Sequence, residues 1–245
     1  MNKVATITLS FWIMKICATT LGETGGDLIS MTLNVGYALS SIILFSLFLV
    51  AVITQIKSSK FNPILYWTVI LATSTAGTTM SDFMDRTLHL GYAKGSLILI
   101  TCLLVVLATW YLSEKSLCVN NIQTPKEEIF YWVAILFSNT LGTALGDFLA
   151  DSSGLGFSGG AILIGSLIGL VILAYYFTKI NRVMLFWIAF VLTRPFGATF
   201  GDLLTKPIQK GGLNFGTIGS SAILTIILVA LVVYTSRNKK PLAVE

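Results

Sequence analysis

The sequence predicts an all-α polytopic membrane protein: eight transmembrane helices, built from four parallel two-helix repeats, packed as one pseudo-symmetric bundle. Three observations predict it. Of 245 residues, 55% are hydrophobic and only 11% are charged, whereas a soluble domain carries about 25% charged residues. The apolar residues fall in long runs. One pattern of aromatic, glycine and aspartate recurs four times, which marks a repeat architecture.

The most apolar runs cover 36–56, 96–112, 160–177 and 215–236. A helix of ~17–25 residues crosses a hydrocarbon core, and each run reaches that length. Four further runs begin near Val4, Pro63, Ile129 and Val183. They are less apolar, because Thr, Ser, Gly and Asp enter their second halves. The chain thus reads as a single transmembrane domain over 1–245, with repeats at 4–60, 61–115, 126–180 and 181–237. The longest connection, 113–128, holds Asn120, Asn121, Gln123 and Pro125, a surface-loop composition. Lys3 before an apolar stretch has the look of a leader. The first segment shares the pattern of the other three, however, so it reads as part of the fold.

The segments 11–30, 66–85, 131–150 and 186–205 align without gaps. Each opens on an aromatic residue followed by Trp12, Trp67, Trp132 or Trp187. Ten places after the Trp comes Gly22, Gly77, Gly142 or Gly197. Fifteen places after it comes Asp27, Asp82, Asp147 or Asp202. The second helices follow Gly36, Gly91, Gly156 and Gly216. Trp-to-Trp spacings of 55, 65 and 55 residues hint at two halves of two repeats each. Two helices per repeat make all four repeats run the same way, so axes normal to the membrane relate them. The four Asp then share one depth, about 22 Å along the helix from the Trp level.

Lys and Arg predict the orientation. The termini and the loops on their side hold ten: Lys3, Lys57, Lys60, Lys115, Lys126, Lys179, Arg182, Arg237, Lys239 and Lys240. The motif side holds four: Arg86, Lys94, Lys206 and Lys210. Ten against four places both termini in the cytoplasm, with the Trp residues as belt aromatics at that interface. Lys15, three residues past Trp12, is expected to snorkel there too.

At 3.6 residues per turn, offsets +8, +11 and +15 from the Trp share a face. They hold Thr20, Glu23 and Asp27; Thr75, Thr78 and Asp82; Thr140, Thr143 and Asp147; and Pro195, Ala198 and Asp202. Asn139 and Arg194 flank this stripe. Carboxylates facing lipid cost several kcal/mol each, so the stripe should turn inward. The glycine column Gly22, Gly77, Gly142 and Gly197 reads as helix packing. The motif side holds seven acids: Glu23, Asp27, Asp82, Asp85, Asp147, Asp151 and Asp202, with Arg86 and Arg194 as the nearest counter-ions and charge partners. That leaves five negatives to bind cations or protons, or to reach water.

Carboxylates and hydroxyls suit hard cations. The expected metal ligands are Asp27, Asp82, Asp147 and Asp202. Glu23, Asp151, Thr78, Thr143 and Asn139 are expected to add to the ion site, with Thr20, Thr75 and Thr140 as further neutral oxygens. Arg194-Pro195 breaks the pattern in the fourth repeat, and Arg194 is expected to meet Glu23 or Asp27. His89 is alone on the motif side and reads as a bystander. Cys17, Cys102 and Cys118 form no metal-ligand spacing, and their thiols read as small hydrophobes. The net charge of +5 lies in short loops, which argues against a nucleic-acid partner. Intramembrane aspartyl proteases use a GxGD motif, and none of the four sites reads so. No other enzyme motif appears, so no enzyme is expected.

The tandem aromatic-Trp, Gly and (Gly/Ser)-Asp units, four per chain, resemble the bacterial membrane proteins built from domain-of-unknown-function 347 repeats. The resemblance covers essentially the whole chain. It implies an inner-membrane, multi-pass location and no settled activity. The residues themselves point to a transporter of a small cation, such as Mn²⁺, Mg²⁺ or Ca²⁺, with proton coupling as an option. The expected partners are the lipid bilayer and the inorganic cation, which is substrate rather than cofactor. A homo-oligomer is compatible with the sequence. A passive channel is the near alternative, a non-transporting sensor or scaffold the next, and an Asp-dependent enzyme the last.

Overall fold

The first helix of each repeat starts at a side-chain cap. Thr8 Oγ1 accepts from Phe11 N–H at 3.2 Å and starts α1, Leu9–Asp27. Asn62 caps α3, Pro63–Asp82, and Asn181 caps α7, Arg182–Thr205. Thr124 and Glu127 form a capping box on α5, Pro125–Asp147. These side chains satisfy N–H groups that a helix start leaves unpaired. Pro63 and Pro125 stand in the first turn, where no N–H is needed. The second helices are α2, Tyr37–Lys57; α4, Tyr92–Glu114; α6, Gly156–Phe177; and α8, Thr217–Arg237.

The structure, a computed structural model, describes residues 3–119, 122 and 124–237. Lys239 and Lys240, and Asn120, Asn121 and Gln123 of the long loop, lie outside the described residues. Among those described, all regular structure is helical.

Immediately after the Asp, three repeats widen into one π turn: Leu28–Thr32, Phe83–Thr87 and Phe148–Ser152. The i→i+5 bonds Leu33 N–H to Leu28 O (2.8 Å), Leu88 N–H to Phe83 O (2.9 Å) and Ser153 N–H to Phe148 O (3.0 Å) define them. The fourth repeat has Pro207 five places after Asp202. A proline has no N–H to give, and there the chain leaves α7 at Lys206 instead. The turn that follows holds Asn34, His89 and Asn214 at φ 54–56°, with Gly154 at the same place in the third repeat. Two residues later stands a second positive-φ glycine: Gly36, Gly91, Gly156 or Gly216. Asn and Gly tolerate that conformation best, so His89 sits at a turn position.

The four first helices form a closed inner ring, α1–α3–α5–α7 and back to α1. Each second helix lies on the inner helix of the following repeat: α2 on α3, α4 on α5, α6 on α7, and α8 on α1. The last repeat thereby closes onto the first. The glycine column makes the ring tight. A methyl group on Gly22 would collide with Ser74, one on Gly77 with Asn139 and Thr140, one on Gly142 with Arg194, and one on Gly197 with Thr19. Each glycine thus receives a residue seven places past the Trp of the next repeat, the small-residue route to close helix approach.

Six helices are long and apolar enough to cross a membrane: α2, α4, α5, α6, α7 and α8. Eight were expected. In α1, Lys15, Glu23 and Asp27 lower the hydropathy, and in α3 a series of Thr and Ser does so. Both belong to the buried ring, where lipid does not select for apolar side chains. Only 22–33% of each outer helix window is buried, against 61–67% for α5 and α7. The outer helices present Leu, Ile and Val outward, as a multi-pass membrane protein requires.

The expected belt of Trp is not there. Trp67, Trp132 and Trp187 are buried and Trp12 half-buried. Three pack on the preceding repeat: Trp67 on Phe11 (5.7 Å between ring centres), Trp132 on Tyr66 (5.5 Å) and Trp12 on Phe186 (5.7 Å). Trp187 instead meets Trp110 of α4 (5.8 Å) and donates to Leu117 O (3.1 Å).

Candidate functional site

The ring interior is a stack of four-residue layers, one residue from each inner helix. From the terminal side, the first layer is aromatic: Phe11, Tyr66, Tyr131 and Phe186, with the two tyrosine hydroxyls 2.6 Å apart. The second is Lys15, Ile70, Ile135 and Phe190. The third is Thr19, Ser74, Asn139 and Arg194, and the fourth Glu23, Thr78, Thr143 and Ala198. The fifth is the aspartate layer. All twenty side chains are buried, so the axis is filled at every level rather than open as a pore.

The axis follows offsets +7, +11 and +15. Offset +8 turns aside. Thr20, Thr75 and Thr140 donate to their own helix, to Ile16 O (2.9 Å), Leu71 O (3.1 Å) and Leu136 O (3.0 Å). Threonine hydroxyls in a helix commonly bond back one turn in this way. These three hydroxyls give their protons to their own helices and turn away from the axis.

Arg194 lies at the centre, wholly buried. Its guanidinium reaches Glu23 Oε2 (3.1 Å), Thr78 Oγ1 (2.5 Å), Thr143 Oγ1 (2.7 Å) and the carbonyls of Thr19 and Ser74 (3.3 Å each). Thr78 and Thr143 also lie 3.3 Å from Glu23 Oε2. One cation from α7 therefore ties together α1, α3 and α5. The proline beside it costs α7 one backbone bond. Ala198, where other repeats hold Glu or Thr, leaves room for the interaction.

One layer further, two cations pair the four aspartates. Arg86 stands 2.8 Å from Asp82 and 3.1 Å from Asp147. Lys206 stands 3.1 Å from Asp202 and 2.6 Å from Asp27. Each cation follows its own aspartate by four residues and bridges to the next repeat. Burial works against the Lys206 charge, but Asp202 and Asp27 outweigh it and hold the ammonium above its usual pKa. Lys206 did not emerge from sequence reasoning. The signal was available, since Asp202–Lys206 has the spacing of Asp82–Arg86. Repeats 1 and 3 have Met31 and Asp151 there, so the ring is two-fold at this level. The paired repeats are 2 with 3 and 4 with 1, whereas the Trp spacings had hinted at 1 with 2 and 3 with 4.

Glu23, Asp147 and Asp202 each place one carboxylate oxygen within 4.8 Å of the others, and all three residues are buried. Three oxygens so spaced lie at most about 2.8 Å from a common centre, close to the ~2.3–2.6 Å of Ca²⁺–oxygen bonds. Asp27 and Asp82, expected as metal ligands, share the aspartate layer but not this group of three. Two further expected ligands lie off the acidic layers. Asp151 is exposed and accepts from Tyr92 Oη (3.1 Å). Asn139 accepts from Lys15 Nζ (3.3 Å) and donates to Thr73 (2.9 Å), two layers from the aspartates. Asp85 is buried off the axis, beside Ser81 and Gly95. Lys15 does not snorkel. It is fully buried, with Nζ 3.9 Å from the centre of the Phe190 ring.

In the two acidic layers, five carboxylates (Glu23, Asp27, Asp82, Asp147 and Asp202) face three cations (Arg86, Arg194 and Lys206). The ionised cluster carries an excess of two negative charges. Buried charge without compensation is strongly unfavourable.

A family model described as Repeat of Unknown Function (DUF347) matches the chain four times, over residues 10–61, 65–116, 130–181 and 185–241. No curated protein and no solved structure matches it.

Proposed function

The chain belongs to the DUF347 repeat family, and from its four-fold architecture we propose that it is a carrier of a small inorganic cation across the bacterial inner membrane. All eight helices cross the bilayer in this reading, and both termini lie in the cytoplasm. Two of the four motif-side cations, Arg86 and Lys206, are consumed in buried pairs, which sharpens the charge asymmetry that sets orientation.

One observation carries the proposal: five carboxylates face only three cations in a buried site shared by all four inner helices, two negative charges in excess when all are ionised. A divalent cation such as Mn²⁺, Mg²⁺ or Ca²⁺ balances it in one step, and Glu23, Asp147 and Asp202 supply the closest oxygens. Each of these three acids already holds a tethered cation: Arg194, Arg86 and Lys206 respectively. Cargo enters by competing with those side chains. The filled axis favours a carrier that rearranges over a standing channel.

The test is ion flux in proteoliposomes, with a panel of Mn²⁺, Mg²⁺, Ca²⁺, Na⁺ and H⁺. Wild type should move one of these, and Asp147→Asn and Glu23→Gln should lower that flux at least ten-fold while remaining folded. An absence of flux for every ion, under inward and outward gradients, would overturn the carrier reading and leave a sensor or scaffold.

A further inference from the structure

We propose that Lys15 is the proton-carrying residue of this carrier, releasing one proton toward the terminal side for each divalent cation that binds the carboxylate cluster. The inference rests on the transport reading above and adds its coupling.

Lys15 is the one cation inside the ring with no carboxylate partner among the described residues. Its ammonium group meets only Asn139 Oδ1, at 3.3 Å, and the face of Phe190, at 3.9 Å. The other three interior cations each hold at least one carboxylate within 3.1 Å. The fold does not require a charge at this place. The equivalent residues in the other repeats are Ile70, Ile135 and Phe190. Three quarters of the layer is apolar, and Lys15 enters it with a polar partner built across the ring. Asn139 is itself steadied by Thr73 at 2.9 Å.

The surroundings of Lys15 are nearly free of other charge. From α3 it faces Ile70 and Thr73, and from α5 Ile135 and Asn139. From α7 it faces Phe190, with Arg194 one turn further along that helix. On α8, packed behind α1, the residues along the contact are uncharged, among them Leu224 and Ser221. On α1 itself Glu23 stands two turns away, committed to Arg194.

Charge bookkeeping then sets the direction. With Lys15 protonated, the interior carries one net negative charge before cargo binds. A divalent cation would leave it one net positive, in a setting where uncompensated charge is strongly unfavourable. Loss of the Lys15 proton restores neutrality. That proton is bound to no carboxylate, so its departure breaks only an amide contact and a cation–π contact, together worth little beside an ion pair. The amine nitrogen keeps its lone pair, the proton passes to water on the terminal side, and the cation occupies the oxygen cluster. Release of the cation reverses both steps.

The test uses the full chain in proteoliposomes that hold a trapped pH dye, with Mn²⁺, Mg²⁺ and Ca²⁺ each added as the chloride salt. Wild type is expected to move protons against the carried cation at about one per ion. Lys15→Met and Lys15→Ile are expected to keep cation flux down its own gradient within about two-fold while losing proton counterflow at least ten-fold. Both variants replace a buried charge with an apolar side chain of the kind that Ile70 and Ile135 supply in the same layer, so their melting temperatures should equal or exceed that of wild type. Proton counterflow unchanged in the variants would overturn the proposal, as would wild-type cation flux with no proton counterflow. Neither result would touch the carrier reading. No cation flux in wild type would overturn both.

Discussion

Arg194 and Glu23 show what the interior demands of single residues. Both are buried, and Arg194 makes its polar contacts on all three other inner helices. Removing one partner of such a pair strands the other charge, at about 3–5 kcal/mol. Glu23→Gln should therefore lower the melting temperature sharply. The double variant Glu23→Gln/Arg194→Met removes both charges and should recover most of that loss. A double variant less stable than the single one would contradict the pairing. Lys206 gives a prediction with pH. Its pKa is raised in the folded chain, so its own stabilising effect is complete below the ordinary lysine value. Removing it strands Asp27 and Asp202, which escape that penalty at low pH by taking up protons. The stability difference between wild type and Lys206→Met should thus grow from pH 5 to 9, and a difference that shrinks over that range would count against the ion pairs described here.

At the scale of elements, the seams between inner helices are set by glycine. Gly22, Gly77, Gly142 and Gly197 have no room for a methyl group. Alanine at Gly22 must push against Ser74 and should cost about 1–3 kcal/mol, as overpacked sites do. Gly169, on outer helix α6, has open space around it, and alanine there should be neutral or stabilising by up to ~1 kcal/mol. Unfolding of the two variants side by side checks the contrast, and equal effects would refute it. These seams were legible in the sequence, because the glycine column recurs in register. The boundary between ligand and packing threonines was not. Offsets +7 and +8 differ by 100° on an isolated helix, where +8 falls in the stripe and +7 at its flank, and only the ring's crossing geometry selects +7. The Trp positions misled for a similar reason. A Trp near a helix start reads as an interfacial anchor until a neighbouring repeat is seen to cover it. The polar character of α1 and α3 was also readable, but not that it reflects burial within a ring.

For the whole molecule, the repeat and its parallel direction followed from spacing alone, and the closure of α8 onto α1 completes it. The pairing of repeats did not follow, since it depends on which side chains the cations Arg86 and Lys206 reach. They join α3 to α5 and α7 to α1, and leave the seams α1/α3 and α5/α7 unbridged at the aspartate layer. If the carrier opens on this side, it should part along those seams. In a variant lacking the native cysteines, Gly25→Cys/Thr75→Cys lies across α1/α3, where a β-carbon on Gly25 would be 3.6 Å from Thr75. Oxidising that pair should stop flux reversibly. Thr24→Cys/Ser221→Cys joins α1 to α8, whose hydroxyls already meet at 2.9 Å, and should leave flux intact. The reverse pattern would place the moving boundary elsewhere.

On this account the buried cluster of five carboxylates and three cations takes up a cation. Equilibrium binding of Mn²⁺, Mg²⁺ and Ca²⁺ to the purified chain tests it most directly. One saturable divalent site per chain, lost in Asp202→Asn while that variant stays folded, is the result expected. No saturable binding of any of the three ions, or binding that Asp202→Asn leaves unchanged, would contradict it.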